Sequence, residues 1–169
     1  RGESDASRKH AVSFRLAFDL LCRGRSAEAR RVFAAIGARY WVALLWLEQG
    51  DAARALDEIQ RGRPTGGIRD MGPEELSIVA RAQARLGRQD ETASAIAQLS
   101  KLASRLTTPY GERRLRLARG VAALEQHDVP TAIRELRSAV ALLPPNPMER
   151  GVPILYALGC AYLAARQDV

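Results

Sequence analysis

The chain has 169 residues and a formal net charge of +7; 47% of its residues are hydrophobic, 27% charged and 5% aromatic. The hydrophobic fraction is too high for a disordered chain. The longest apolar run, Trp41 to Leu47, has seven residues, far fewer than the roughly 20 that a membrane-spanning helix needs.

Four helices are predicted in the first third of the chain, because apolar residues recur there at three- and four-residue steps. In the first helix, Ala11 to Cys22, this stripe consists of Phe14, Ala17, Phe18 and Leu21. Ser26 is the predicted cap of a second helix over 26–36. A third helix covers 40–48, and a fourth follows the stop-and-cap pair Gly50-Asp51 and runs to about Arg61.

The stretch 62–72 is rich in Gly and Pro and is a predicted exposed loop. Pro73-Glu74-Glu75 suits a first helical turn, since proline fits the first position and carboxylates favour the positive end of the helix dipole. The same periodicity predicts five further helices, near 73–86, 89–106, 112–126, 130–143 and 152–166. Alternating strand-type runs are absent, so the predicted fold class is all-α.

Small and large residues recur at fixed steps along these helices. Gly120 is followed by Ala132, by Leu136 four residues later, by Ala139 three residues after that, and by Pro144. Leu158-Gly159-Cys160-Ala161-Tyr162 has the Leu-Gly-x-x-Tyr form of a first helix. Weaker copies of the turn and second helix contain Gly24, Ala29 and Phe33, then Gly50, Asp51, Ala55 and Ile59, and then Gly87, Thr92 and Ile96. Together these matches resemble the tetratricopeptide repeat.

The resemblance covers nearly the whole chain and implies a single domain, 1–169, folded as a right-handed α-solenoid of about four and a half repeats. Helix pairs are expected at 5–36, 38–61, 73–106 and 112–143, followed by an unpaired or capping helix at 152–166. The turns are 26, 37 and 40 residues apart instead of a uniform spacing of about 34, so the array is degenerate. Because the last helix lacks a pair partner, we expect an exposed apolar edge on it.

In this family the first helix of each pair lines an inner, concave wall that binds peptides. The residues expected on this wall give it apolar ends and a basic middle; they are Phe14, Phe18, Tyr40, Glu48, Ser77, Arg81, Arg85, Arg114, Leu117, Tyr156 and Cys160. For the apolar members, ordinary packing against the next repeat is an equally good explanation.

The sequence offers no pattern for catalysis, a metal or a cofactor. His10 and His127 are the only histidines, and neither has a nucleophile or a second ligand at a suitable spacing. Thr65-Gly66-Gly67 lacks the Lys and the preceding strand of a phosphate loop. Cys22 and Cys160 are isolated, so neither a zinc site nor a disulfide framework is expected, and the cytoplasm is the expected location.

The 24 arginines admit two interpretations. On the helix near 112–126, Arg113, Arg116 and Arg119 lie opposite the apolar stripe, and Arg81 and Arg85 share a face of the preceding first helix. They form either a solvated polar face, in a composition biased towards Ala and Arg as in GC-rich bacterial genes, or a basic surface for an acidic or phosphorylated partner. Most aromatic residues lie on packing stripes instead of among the arginines, which disfavours nucleic acid.

These observations predict a non-catalytic protein–protein interaction module that binds a peptide, with Arg81, Arg85 and Arg114 favouring acidic partners. The chain begins at Arg1 instead of Met, and we expect it to be a piece of a larger bacterial protein. Repeats of this family are often appended to signalling or regulatory proteins. The alternatives are a structural spacer or self-association module and, less favoured, a nucleic-acid-binding surface.

Overall fold

The computed structural model describes residues 2–61, 70–106, 108–145 and 148–167. Within these ranges the chain forms nine α-helices and no β-strand, which confirms the all-α prediction. The helices are α1 Gly2–Cys22, α2 Ser26–Ala35, α3 Arg39–Glu48, α4 Ala52–Arg61, α5 Pro73–Arg85, α6 Gln89–Ala103, α7 Pro109–Glu125, α8 Val129–Ala141 and α9 Met148–Gln167. The predicted loop 62–72 lies largely outside the described residues.

Most predicted helix boundaries agree with these within a few residues. The largest difference is at α1, which begins at Gly2, nine residues before the predicted Ala11. Helix α7 begins at Pro109, three residues before the predicted 112–126. The first residue of a helix has no intrahelical acceptor for its backbone N–H, so proline, which lacks this group, loses no hydrogen bond there. Its fixed φ also suits the first turn. Helix α9 begins at Met148 and continues through Pro153, so it is longer than the predicted 152–166.

Aspartate side chains cap two of the helices. The backbone N–H of Arg54 donates to Asp51 Oδ1 at 3.0 Å, and that of Thr131 donates to Asp128 Oδ1 at 3.1 Å, so the predicted cap at Asp51 is confirmed. The predicted cap at Ser26 is wrong. Ser26 is itself the first helical residue of α2, and its Oγ accepts a hydrogen bond from Gln49 Nε2 instead.

The turns before both caps use the left-handed backbone region. Gly50 has φ 86° and His127 has φ 59°. Glycine adopts this conformation without steric cost, whereas an L side chain there contacts the following carbonyl oxygen. His127 therefore occupies a position whose backbone conformation favours glycine.

The helices group into two compact units, Arg1–Pro64 and Thr65–Val169. In the first unit α2 packs on α1 and α3, and α3 packs on α4. Its core contains small and aromatic residues of α1 to α3, namely Ala17, Leu20, Ala29, Phe33 and Val42. The prediction of one repeat domain over 1–169 stays a prediction.

In the second unit α7 is the central helix, since it packs against α5, α6, α8 and α9. Gly120 of α7 lies against Leu136 of α8, and both are fully enclosed with Leu117, Ala132 and Ala139 in the core of this unit. Ile154, Ala157 and Ala161 of α9 complete that core. The opposite face of α9 is therefore directed away from the core.

Candidate functional site

In the first unit, the predicted wall residues Phe14 and Phe18 belong to an aromatic cluster. Their rings pack with those of Phe33 and Trp41, at centroid distances between 4.8 and 5.8 Å. Tyr40 is half-buried with its ring edge against Trp41. For the two phenylalanines the packing explanation therefore applies. Glu48, at the end of α3, is exposed.

In the second unit, four of the predicted wall residues are buried, namely Ser77, Arg81, Arg114 and Leu117. Arg81 is 3% exposed and Arg114 7% exposed, and Ser77 Oγ is enclosed without a hydrogen-bond partner in the described part of the chain. Leu117 belongs to the core that α7 shares with α8 and α9. The burial of all four side chains argues against an open groove lined by them.

Arg85, the third arginine of the predicted basic middle, is held by a carboxylate. Its Nε lies 3.0 Å from Glu125 Oε1, and this ion pair joins the last turns of α5 and α7. Because Arg85 is neutralised inside the unit, it contributes little to the field that an acidic partner would meet.

Tyr110, in the first turn of α7, contacts charged side chains of both α5 and α7. Arg114 Nε donates to the Tyr110 hydroxyl at 3.3 Å, and the guanidinium carbons of Arg113 and Arg114 each lie 5.3 Å from the centroid of its ring. Burial, together with a hydrogen bond to Glu74, raises the pKa of Tyr110 to about 12. The phenol therefore stays protonated and links α5 to α7.

Both interpretations of Arg113, Arg116 and Arg119, a solvated polar face and a basic surface for a partner, require exposed side chains. Neither applies to Arg113, which is 6% exposed. Its Nη1 donates to the carbonyl oxygen of Leu142 at 3.2 Å, just beyond the C-terminal end of α8. A guanidinium at that end is favoured by the helix dipole. Arg116 is half-buried and bridges carboxylates on two helices. The cause of the error is that α7 has neighbours on all sides.

A cluster of basic and aromatic groups in the first unit, in which Arg54 is exposed and Arg30 and Trp46 are half-buried, was not predicted. The guanidinium carbons of Arg30 and Arg54 lie 3.5 and 4.7 Å from the ring centroid of Trp46. Partial burial and the nearby charges of Arg54 and Arg31 lower the pKa of Arg30. The arginines come from α2 and α4 and the indole from α3, so no single helix carried a signal for this cluster.

Helix α9 presents the largest run of exposed apolar side chains among the described residues. One face of the helix carries Val152, Leu155, Tyr156, Tyr162 and Leu163, which are between 46% and 62% exposed. Gly159 is exposed at the centre of this face, and no atom lies within 4 Å of the place where its Cβ would stand. The expected apolar edge of the last helix is confirmed. Tyr156 lies on this face, and Cys160 is half-buried at its border.

Two pockets lie in the described part of the second unit, and the acidic side chains that line one of them already have partners. A pocket of about 270 Å³ contains Asp128 and Glu135, but Asp128 caps α8 and Glu135 binds Arg116. A second pocket, of about 500 Å³, lies between the start of α7 and the end of α8 and has mostly apolar walls around Arg113 and Tyr110.

The described residues contain neither a metal-binding cluster nor a membrane-spanning helix. No group of three or more His, Cys, Asp or Glu side chains there is placed to hold a metal ion. None of the helices in those ranges combines the length and apolarity needed to cross a membrane.

No protein-family model, curated protein or solved structure matches the chain.

Proposed function

We propose that the chain is a non-catalytic protein–protein interaction module of tetratricopeptide type, and that the exposed face of α9 is its docking surface. One observation carries this proposal. Positions that α8 covers on α7 recur on α9, where no helix among the described residues covers them.

The correspondence follows from an offset of 39 residues, which aligns Gly120 with Gly159. The same offset places Tyr156 where α7 has Leu117 and Leu163 where α7 has Leu124. Leu117 is completely buried under the second helix of its pair, while Tyr156 is 62% exposed. The face of α9 thus has the composition of a helix–helix interface and is open to a partner helix.

A repeated ion pair supports the proposal that the helices are repeats. Arg39 Nη1 lies 2.9 Å from Glu58 Oε1 across α3 and α4, and Arg116 Nη1 lies 2.9 Å from Glu135 Oε2 across α7 and α8. Both pairs are separated by 19 residues, and 77 residues relate one pair to the other. The same offset aligns Ala55 and Ile59 with the small and large core residues of α8.

The finer architecture that we propose is a degenerate array in which successive helix pairs stack as in a right-handed α-solenoid. In the second unit α5 packs on both α6 and α7, and α7 packs on both α8 and α9, as expected when each first helix contacts its own second helix and the next first helix. A place in a bacterial signalling or regulatory protein remains a proposal by family analogy.

Binding of a helix to α9 is tested with the molecule's own second helix as the probe. A fluorescein-labelled peptide of residues 128–143 is titrated with the full chain, and anisotropy is recorded. We expect saturable binding in the micromolar range that Leu155→Glu abolishes. The matched control is Leu16→Glu on α1, because Leu16 and Leu155 are both 49% exposed. No binding of the peptide, or equal loss in both variants, contradicts the proposal.

A second candidate function, recognition of an acidic partner, is favoured by the cluster of Arg30, Trp46 and Arg54. Arg30 is held by the neutral amide of Gln49. Arg54 lies 3.3 Å from Asp51 Oδ2 but has a side chain that is 62% exposed, unlike the ion-paired Arg85, which is 25% exposed. The two guanidinium groups can therefore attract a carboxylate-bearing peptide. The test is binding of a fluorescein-labelled octaglutamate peptide to the wild type and to Arg54→Gln. Arg23→Gln is the matched control, since the side chains of Arg23 and Arg54 are 64% and 62% exposed. Equal binding by both variants contradicts this function.

A further inference from the structure

The face of α9 that carries the proposed docking surface is symmetric about Gly159 at the positions two, three and four residues away. Around Gly159 the sequence is Leu155-Tyr156-Ala157-Leu158-Gly159-Cys160-Ala161-Tyr162-Leu163. Leucines stand at four residues on either side of the glycine, tyrosines at three and alanines at two. We propose that a second copy of this chain docks on α9, antiparallel, with a two-fold axis through Gly159. This inference rests on the proposed function and names its partner.

The helical geometry places these symmetric residues on one surface. At 100° per residue, positions three, four and seven residues from Gly159 lie within about 60° of its direction. The positions three and four residues away hold the exposed tyrosines and leucines, and those seven away hold Val152 and Arg166, while Ile154, Ala157 and Ala161 are buried against the rest of the unit. The symmetry therefore belongs to the exposed face.

In an antiparallel pair with its axis at Gly159, each residue meets the one equally far on the other side. Leu155 of one copy meets Leu163 of the other, Tyr156 meets Tyr162, and Gly159 meets itself. Such an interface is isologous, because the same patch serves both subunits. The open space around Gly159 allows the two helix axes to approach closely at the crossing point.

Charge also favours a second copy. No charged residue occurs in 151–165, although 27% of the chain is charged and its net charge is +7. Two copies repel each other over most of such a surface, but this segment has no charge to repel. Arg166 lies seven residues from Gly159 and meets the region of Val152 in the other copy, about 20 Å from the second Arg166 by the helical rise.

The area of the exposed face of α9 sets the expected affinity of the dimer. Five large side chains that are each about half exposed bury on the order of 1,000 Å² in total between two copies, which is the lower end of specific interfaces. A reversible dimer with a dissociation constant in the micromolar range is therefore expected.

The experiment is sedimentation equilibrium of the full chain from about 1 to 300 µM. We expect a monomer–dimer equilibrium that Leu155→Glu shifts at least tenfold towards the monomer, whereas Leu16→Glu leaves it unchanged. Far-ultraviolet circular dichroism checks that each variant is folded. A monomer at every concentration overturns the inference, as does a dimer that resists Leu155→Glu.

A double variant tests the antiparallel direction. In Leu155→Glu/Leu163→Lys, an antiparallel pair places each glutamate opposite a lysine, so dimerisation is retained relative to Leu155→Glu alone. A parallel pair would oppose like charges and would lose the dimer, which overturns the proposed symmetry. If the wild type is monomeric but binds the 128–143 peptide at α9, the inference fails while the proposed function stands.

Discussion

Gly120 and Leu136 are so close that a Cβ on the glycine would stand 2.5 Å from Leu136 Cγ. The same Cβ would lie 3.4 Å from the carbonyl oxygen of Ala132, so the backbone of α8 also limits the space. This contact sets the separation of α7 and α8. It gives a physical reason for a glycine on α7 opposite a large apolar residue on α8.

Gly120→Ala should destabilise the second unit by about 1–3 kcal/mol, since an extra methyl in a filled core forces side chains and backbone apart. Gly159→Ala is the matched control, because Gly159 has no neighbour within 4 Å. Alanine there should stabilise α9 by about 0.5–1 kcal/mol through its helix propensity. Urea unfolding at low protein concentration measures both changes. Equal effects of the two variants would contradict the close contact.

Tyr110 should make stability fall at high pH. Burial and the hydrogen bond to Glu74 raise its pKa to about 12, above the value of about 10 for the unfolded chain. Its contribution is therefore complete below about pH 10 and is lost as the pH rises from about 10 to 12. Urea unfolding between pH 9 and 11.5 should show the decline, and Tyr110→Phe should flatten it. An unchanged slope in that variant would refute this role.

Asp128 should make stability fall in acid. Hydrogen bonds from the side chain and backbone of Thr131 lower the pKa of Asp128. Its contribution is present above about pH 4 and is lost as the pH falls through the folded-state value. Asp128→Asn keeps a capping oxygen but does not titrate, so its unfolding free energy should depend less on pH between about 2 and 5. The same pH dependence in both proteins would exclude Asp128 as the cause.

His127→Gly should stabilise the turn between α7 and α8. His127 has φ 59°, a conformation that costs an L residue roughly 1–2 kcal/mol. Glycine removes this cost but loses about 0.5–1 kcal/mol through the greater freedom of the unfolded chain. The net gain should be about 0.5–1 kcal/mol in urea unfolding. His127→Val is the comparison and should destabilise, since a β-branched side chain fits this region poorly.

The helices were predictable because each has a local signal. Apolar residues at helical steps mark the stripes, and residues such as Gly50 and Asp51 mark a stop and a cap. The close contact of Gly120 with α8 could also be predicted, from the spacing of Gly120, Ala132 and Leu136 in the sequence. The prediction of a cap at Ser26 was wrong because a residue type that favours capping identifies the start of a helix only to within one residue. A tertiary partner, Gln49, holds the Ser26 side chain instead.

The burial of the arginines was not predictable from single helices. Arg113 and Arg114 stand on different sides of α7, and their exposure depends on α5 and α8 as well as on α7. Helical periodicity shows which residues share a face, but not how many faces are covered. The symmetry around Gly159 is present in the sequence. It becomes informative only when the side of α9 that packs on the core is known.

The central position of α7 has a consequence for how the second unit loses its structure. Four neighbouring helices pack against α7, so unfolding of α7 removes packing contacts from all four at once. The second unit should therefore open as a single cooperative block instead of shedding helices one by one from its ends. The backbone amides of α7 should be the last in the unit to exchange with deuterium.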